Sequence, residues 1–314
     1  MSETENKSAI SPKPVIAIVG SANIDLTSYA QILPAAGETL SGDKFSEGFG
    51  GKGANQAVIS ALAGGQVHFI GAVGQDEFGT SLIGNFHRYG IHTENVTRLT
   101  THSGTAHIWV DGHGENRILI IQGANGKIDS SKVADAIVNI AGLKIVIGQC
   151  EIPQAATLAV FKSAKQKGAT TILNPAPYQT LSRELLEFTD WLVPNQSEFA
   201  QFDPESRLPT SDAIISSLRP TQNLIVTLGE SGVAIAQPGK PVIRVPSRKV
   251  EVVDSTGAGD CFIGSFATAM GMGLSPEKSA TFAVSVAALS VSTQGAQSSY
   301  PSAKEIQRLL ELQK

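Results

Sequence analysis

The stretch VEVVDSTGAGDCFIGSFATAM, residues 250–270, carries the most chemistry per residue in the chain. A mostly apolar run ends in Asp254, passes through Gly257 and Gly259, and sets Asp260 at the mouth of an apolar helix. Glycines so spaced let backbone N–H groups turn toward one point, and a helix start adds its positive dipole end. Such a pocket attracts an anion, yet a carboxylate stands beside it. The two are compatible if they act on different atoms. Taken singly, an aspartate at a helix start is more often an N-cap. Four further polar clusters at strand ends shift that balance.

The chain of 314 residues can hold one large α/β domain or two small ones. With 41% hydrophobic and 17% charged residues it reads as a soluble globular protein. Its 24 basic against 28 acidic residues offer no field for nucleic acid or a membrane surface. Cys150 and Cys261 sit in apolar segments, as buried small hydrophobes in a reducing compartment do. Residues 1–13, MSETENKSAISPK, lack an apolar signal core and read as a disordered tail. No apolar run approaches the length of a membrane span. A cytoplasmic protein is expected.

VIAIVG (15–20) is the short apolar run of a buried parallel strand. IDLTSYA (24–30) and TLSGDKFSEGF (39–49), with PAAGE as their turn, read as strands of two-faced character. GTAHIWVDGHGENRILIIQG (104–123) reads as a second hairpin with DGHGEN at its tip. Together these pieces suit a small exposed sheet. Elsewhere strand and helix alternate, which predicts an α/β fold with a mostly parallel central sheet sandwiched by helices. An apolar helix over about 275–292 and an amphipathic one in SAKEIQRLLELQK close the chain. Ligands in such sheets bind at the carboxyl ends of the strands.

GFGGKGANQA (48–57) contains a literal G-x-G-x-x-G at Gly48, Gly50 and Gly53. The dinucleotide fingerprint needs a buried apolar strand before it, and SGDKFSE is not one; Lys52 is followed by glycine, which excludes a Walker A loop. A tight turn presenting Lys52 and Asn55 remains, with a solvated lysine as the bland alternative. In GSANIDLT (20–27), Asn23 and Asp25 point to one side of an extended chain, where a carboxylate suits neighbouring hydroxyls. Turn capping competes as an explanation. Glu151 closes GQCE, and Asn195 and Glu198 close VPNQSE, where helix capping by Asn195 or Ser197 is a strong alternative. Thr227, Gly229 and Gly232 follow a strand in VTLGESG, though a plain hairpin explains them equally. The histidines at 68, 87, 92, 102, 107 and 113 have no metal-like spacing and are assigned no chemistry. No G-x-S-x-G elbow supports serine hydrolysis.

GSANID, PAAGETLSG, GFGGKGANQAV, NPAP, VPNQSE, VTLGESG, VDSTGAGDCF and GAQSSYP, in that order, resemble the ribokinase branch of the PfkB-type carbohydrate kinases over about residues 14–305. The resemblance implies a single ribokinase-like α/β domain over 14–314 with a β lid from about 23–48 and 102–122. It implies ATP-dependent phosphorylation of D-ribose at the 5-hydroxyl, with Asp260 as general base and Gly257, Ala258 and Gly259 as anion hole. Asn23, Asp25, Gly51, Lys52, Asn55, Glu151 and Asp260 would hold the sugar. Asn195, Glu198, Thr227, Gly229, Gly232 and Gly259 would face the nucleotide and Mg²⁺. A K⁺ ion would be held near Asp254, Thr256, Ser290, Thr293, Gly295 and Ser299, several through backbone carbonyls. A homodimer through the lid is implied as well. Departures from the family pattern are Val284 near the adenine, Thr293 in place of an arginine by the cation, and His107 and Trp109 on the lid. Rival functions are a 2-deoxyribose, other pentose or nucleoside kinase and, from another class, a dinucleotide-dependent oxidoreductase using GFGGKG; a sugar-binding regulator on a dead kinase scaffold is disfavoured by the intact GAGD.

Overall fold

The computed structural model describes residues 13–202 and 222–313. Of the expected tail, residues 1–12 therefore lie outside the described residues. The VIAIVG run forms β1 (Val15–Val19), the hub of a nine-stranded sheet. Around it lie β4 (Gln66–Gly74), β5 (His92–Leu99), β8 (Leu143–Gly148), β9 (Thr170–Leu173), β10 (Trp191–Leu192) and β11 (Asn223–Thr227), then β12 (Val233–Ala236) and β13 (Ile243–Val245) at one edge. The order is β13-β12-β11-β10-β9-β8-β1-β4-β5. All neighbours run parallel except β11–β12 and β12–β13, which are antiparallel.

Burial on both faces explains why β1 reads as an unbroken apolar run. Ile16 and Ile18 pack into a cluster with Ala54 and Val58 of α1 (Lys52–Leu62) and Phe262 and Phe266 of α7 (Ala258–Gly271). Ala17 and Val19 face the other way, onto Ile137 of α3 (Ser130–Val138) and Val160 and Phe161 of α4 (Gln154–Gln166). The apolar helix expected at 275–292 is α8 (Pro276–Ser290), capped by Ser275 with proline in its first turn. The last helix, α9 (Ala303–Glu311), opens on a capping box between Ser302 and Glu305.

A second sheet of four strands has the order β3-β2-β6-β7. The hairpins β2 (Asn23–Tyr29) with β3 (Lys44–Gly50) and β6 (Gly104–Val110) with β7 (Asn116–Ile121) join through a parallel β2–β6 pair. The strand expected over 39–49 pairs only from Lys44. The turn sits at 35–38, where Glu38 N donates to Ala35 O at 3.0 Å; residues 39–43 lie outside the strand, though Asp43 N still donates to Tyr29 O at 2.8 Å. Every residue of β7 is exposed.

One meeting of side chains was not visible in the sequence. The parallel β4–β5 register sets His68 opposite His92, and Glu94 falls on the same face, so three metal-capable side chains meet although their sequence spacing gave no sign of it. The two imidazoles stack with centroids 4.3 Å apart and planes 10° apart. Their in-plane nitrogen lone pairs therefore run side by side instead of converging on one ion. Cys150 and Cys261 are buried and free, and burial pushes their thiols up to about 11 and about 12.

Among the described residues no helix is long and apolar enough to cross a membrane.

Candidate active site

The site forms where the carboxyl ends of β1 and β8 meet the amino ends of α1 and α7 and the root of the small sheet. α1 has no side-chain cap of its own, because Gly51 precedes it with φ 86°. Its first N–H, that of Lys52, donates at 2.9 Å to Glu151, which arrives from the end of β8. Ser21, just beyond β1, donates its hydroxyl to the same carboxylate oxygen. Glu151 thus fastens a helix start to the β1–β2 junction.

Asn23 and Asp25 share one face of β2, as their spacing predicts. The residues beside them on β3 and β6 are Gly50 and Gly104, then Gly48 and Ala106, so no large neighbour crowds either one. A Cβ at Gly50 would strike the Asp25 carboxylate, and one at Gly104 would strike the Asn23 amide oxygen. Asn125 orients Asn23 by donating to its Oδ1 at 2.8 Å while gripping both backbone groups of Ala22. Asn23 therefore keeps its N–H groups for something else. A cavity of about 260 Å³ opens here, lined by Ser21, Asn23, Asn125, Glu151 and, from the small sheet and beyond, Ile120 and Gln122. Asp25, Lys52 and Asp260 do not line that cavity, which is one flank of a wider site.

Asp260 lies in the first turn of α7 and is 5% exposed. Its Oδ2 accepts from Asn55 Nδ2 at 3.0 Å and its Oδ1 from Gln56 Nε2 at 2.8 Å. Gly257 caps the helix in the left-handed region, φ 77°, where a side chain is strained and where a Cβ would press on Ala296. The amides of Gly257, Gly259 and Asp260 have no hydrogen-bond acceptor among the described residues, whereas Ala258 N donates to Ser255 O at 3.2 Å. Space beside Gly259 is open.

Charge is concentrated at this point. Burial would lower the Lys52 ammonium, but Asp260, Glu151 and Glu198 outweigh it and hold it above the ordinary lysine value. Burial first, then Glu151 and Asp260, push the Asp25 carboxyl up to about 7. Burial also raises Glu198, against the pull of the Asn195 N–H and Lys52.

Asn195 and Glu198 form a reciprocal cap on α6 (Gln196–Phe202): Glu198 N donates to Asn195 Oδ1 and Asn195 N to Glu198 Oε2, both at 2.8 Å. The capping alternative therefore holds for Asn195, and it leaves Glu198 buried within electrostatic reach of Lys52 and Asp260. Thr227 bridges to Asn195 in parallel, while Gly229 and Gly232 close the β11–β12 hairpin at positive φ. Asp254 ties two loops, accepting from Thr256 N at 2.9 Å and Gly295 N at 2.8 Å. Ser290 and Ser299 donate their hydroxyls to Ala287 O and Ala296 O. Val284 is buried in α8 and Thr293 is exposed. Gln56, Gln149, Gln297, Asn125 and Ser21 were not singled out from the sequence; only the adjacency of Gln56 to Asn55 hinted at one of them.

An oxygen-rich pocket with a buried carboxylate at a glycine-led helix start is an arrangement suited to phosphoryl transfer. The pfkB family carbohydrate kinase model matches residues 13–303. The ribokinase of Bacillus subtilis is 39% identical over 296 residues, covering 94% of this chain and 99% of that protein. The deoxyribokinase of Salmonella typhi is 35% identical over 304 residues, covering 95% and 99%. The crystal structure of ribokinase from Thermotoga maritima superposes with a TM-score of 0.86 at 34% identity, covering 95% and 99%. The Arabidopsis thaliana ribokinase structure, complexed with ribose and ATP, gives 0.83 at 33%, covering 96% and 99%.

The chain belongs to the pfkB family of carbohydrate kinases and has the ribokinase-like fold. It is a sugar kinase of ribokinase type, a phosphotransferase with an alcohol as acceptor. The oxidoreductase alternative falls with this, since β3, which runs into GFGGKG, belongs to the small exposed sheet and not to the buried one.

Proposed function

We propose that the enzyme transfers the γ-phosphoryl group of ATP to the 5-hydroxyl of D-ribose, giving ribose 5-phosphate and ADP. The observation that carries this reading is the placement of Asp260: a carboxylate held by Asn55 and Gln56 beside the unpartnered amides of Gly257 and Gly259. Asp260 takes the hydroxyl proton as the oxygen bonds to phosphorus and the bond to the bridging β–γ oxygen breaks, with ADP leaving. The freed amides face the charge on the phosphoryl oxygens, with Ala258 joining them once its weak bond to Ser255 gives way. Base and donors thus act on different atoms, as transfer with little covalent participation by the protein requires.

Asp25 and Asn23 take the sugar hydroxyls, with Gly51, Lys52, Asn55 and Glu151 around them. Asn195, Glu198, Thr227, Gly229 and Gly232 take the nucleotide side. Glu151, Glu198 and Asp260 act on Lys52, and Asp25 feels Glu151 and Asp260, so a bare triphosphate is unfavourable and a divalent cation has a reason to come with it. Mg²⁺ on the triphosphate, near Glu198, would neutralise that charge. The loops joined by Asp254 offer oxygen donors only, which suits a hard monovalent cation such as K⁺ among Asp254, Thr256, Ser290, Thr293, Gly295 and Ser299. The small sheet acts as a lid, and its exposed apolar side chains, Trp109 and Ile118 to Ile121, favour pairing of two lids in a homodimer.

A panel of sugars with coupled ADP detection tests the reading. Ribose is expected to give the highest kcat/KM, and Asp260→Asn to cost about 10²–10⁴-fold in kcat while ribose still binds. The second reading, a 2-deoxyribose kinase, is favoured by the similarity to a deoxyribokinase. A site that hydrogen-bonds a 2-hydroxyl penalises its absence, so a preference for 2-deoxyribose would replace the first reading with the second.

A further inference from the structure

We infer that Asp260 is aimed by two converging chains of side-chain amides, in which Gln297 and Asn85 serve as positioning residues at a distance from the reacting atoms. The inference rests on Asp260 acting as the base. One chain begins on α2 (Glu77–Arg88): Asn85 Nδ2 donates to Gln297 Oε1 at 2.8 Å, Gln297 Nε2 to Asn55 Oδ1 at 3.0 Å, and Asn55 Nδ2 to Asp260 Oδ2 at 3.0 Å. The other begins at the end of β8: Gln149 Nε2 donates to Gln56 Oε1 at 2.7 Å, and Gln56 Nε2 to Asp260 Oδ1 at 2.8 Å. All five amides are buried.

A side-chain amide has donors at one end and an acceptor at the other, so each link dictates the orientation of the next. Every arrow in both chains points toward Asp260. Each carboxylate oxygen therefore receives one N–H and its plane is fixed, with its other lone pairs left without a donor among the described residues. If Asn55 turned over, its Oδ1 would oppose Asp260 Oδ2, acceptor against acceptor. Gln297 prevents that by occupying Asn55 Oδ1 with an N–H, and Asn85 holds Gln297 in the required sense. Gln56 Nε2 is additionally anchored on Asn174 Oδ1 at 3.3 Å, so the second chain does not depend on the first. Buried amides satisfied only for folding need no common direction; these share one, and it ends on the base.

The test uses Gln297→Met, which keeps the shape and removes the polarity, and Gln297→Glu. Gln297→Met is expected to lower kcat about tenfold through a misaimed base, to leave the ATP KM unchanged, and to move the acid limb of the kcat–pH profile toward higher pH, because the ionised carboxylate has lost a fixed donor. Gln297→Glu is expected to work while its acid is protonated and can still donate to Asn55, then to lose rate as it ionises, which adds a descending alkaline limb. A role confined to folding lowers the melting temperature and moves neither limb. Folded variants with the native kcat and pH profile overturn the inference. Asp260→Asn, assayed alongside, separates the two levels: if it retains turnover the base assignment fails, and if it is inactive while the Gln297 variants behave like the native enzyme only the amide chains fail.

Discussion

Gly264 of α7 lies so close to Gln56 of α1 that a Cβ on it would stand 2.6 Å from the Gln56 carbonyl oxygen and strike Ile59. Asp260 is one helical turn before Gly264, and Gln56 and Asn55 are the residues that hold it. The missing side chain therefore sets the separation of the two helices, and with it the reach of both amides to the carboxylate. Gly264→Ala is expected to force the helices apart at about 1–3 kcal/mol of stability. It is also expected to lower kcat measured well below the melting transition. A variant that loses stability but keeps the native kcat would show that the helix separation does not govern the site.

Asp25 supplies a pH dependence of definite sign. Its carboxyl is pushed up to about 7, chiefly by burial and then by Glu151 and Asp260. A carboxyl that holds its proton more tightly folded than unfolded favours the folded state at low pH, and that contribution is lost as pH rises through about 7. Above it the ionised group burdens the fold by at most about 4 kcal/mol. Asp25→Asn is expected to raise the melting temperature at pH 8 more than at pH 5, while weakening sugar binding. In the native enzyme the sugar KM is expected to climb as pH falls below about 7, up to about tenfold per pH unit. Equal stabilisation at both pH values, or a sugar KM flat from pH 5.5 to 8 (roughly the window set by that titration), would count against this account.

Much of this was legible from local pattern. β1 announced itself because burial on both faces removes any polar residue, and the cap at Asn195 followed from the helix after it. The small exposed sheet was visible in the mixed character of its strands. The holders of Asp260 were not readable as such, because Asn55 and Asp260 are 205 residues apart and amides look alike in sequence whether they cap, solvate or orient. His68, His92 and Glu94 met through strand register, which no spacing rule in one segment can reveal. The strand expected from residue 39 failed for a related reason: alternation alone does not supply a pairing partner.

The Asp254 carboxyl is held below the ordinary aspartate value. Burial works against this, but hydrogen bonds from the Thr256 side chain and from the Gly295 and Thr256 N–H groups outweigh it. Because it fastens the loop before α7 to the loop after α8, its removal should loosen both sides of the proposed cation site. Asp254→Ala is expected to lower kcat and to blunt activation by K⁺, measured against a buffer whose only monovalent cation is tetramethylammonium. A native enzyme indifferent to K⁺ in that buffer would remove the cation assignment; a K⁺ response unchanged in the variant would remove Asp254 from it.

Asp76 holds the root of the small sheet to the body. Its Oδ1 accepts from Gly79 N at 2.7 Å, capping α2, and from Ser103 Oγ at 2.6 Å, while its Oδ2 accepts from Ser103 N at 2.7 Å. Ser103 Oγ accepts in turn from Gly74 N at the end of β4, at 2.9 Å. One carboxylate thus joins the end of β4, the start of α2 and the residue before β6. Asp76→Ala removes a cap and strands the Ser103 amide, an expected loss of about 2–4 kcal/mol. The Asp76 carboxyl is lowered, since the Ser103 and Gly79 hydrogen bonds outweigh a desolvation that acts the other way. Its stabilisation is therefore present above the unfolded carboxyl value, 3.8, and fades as pH falls below that. Melting curves of the two proteins should stay a fixed distance apart from pH 6 to 8 and draw together below about pH 4. A gap that persists unchanged into that acid range would show that the charge on Asp76 is not what holds the clamp.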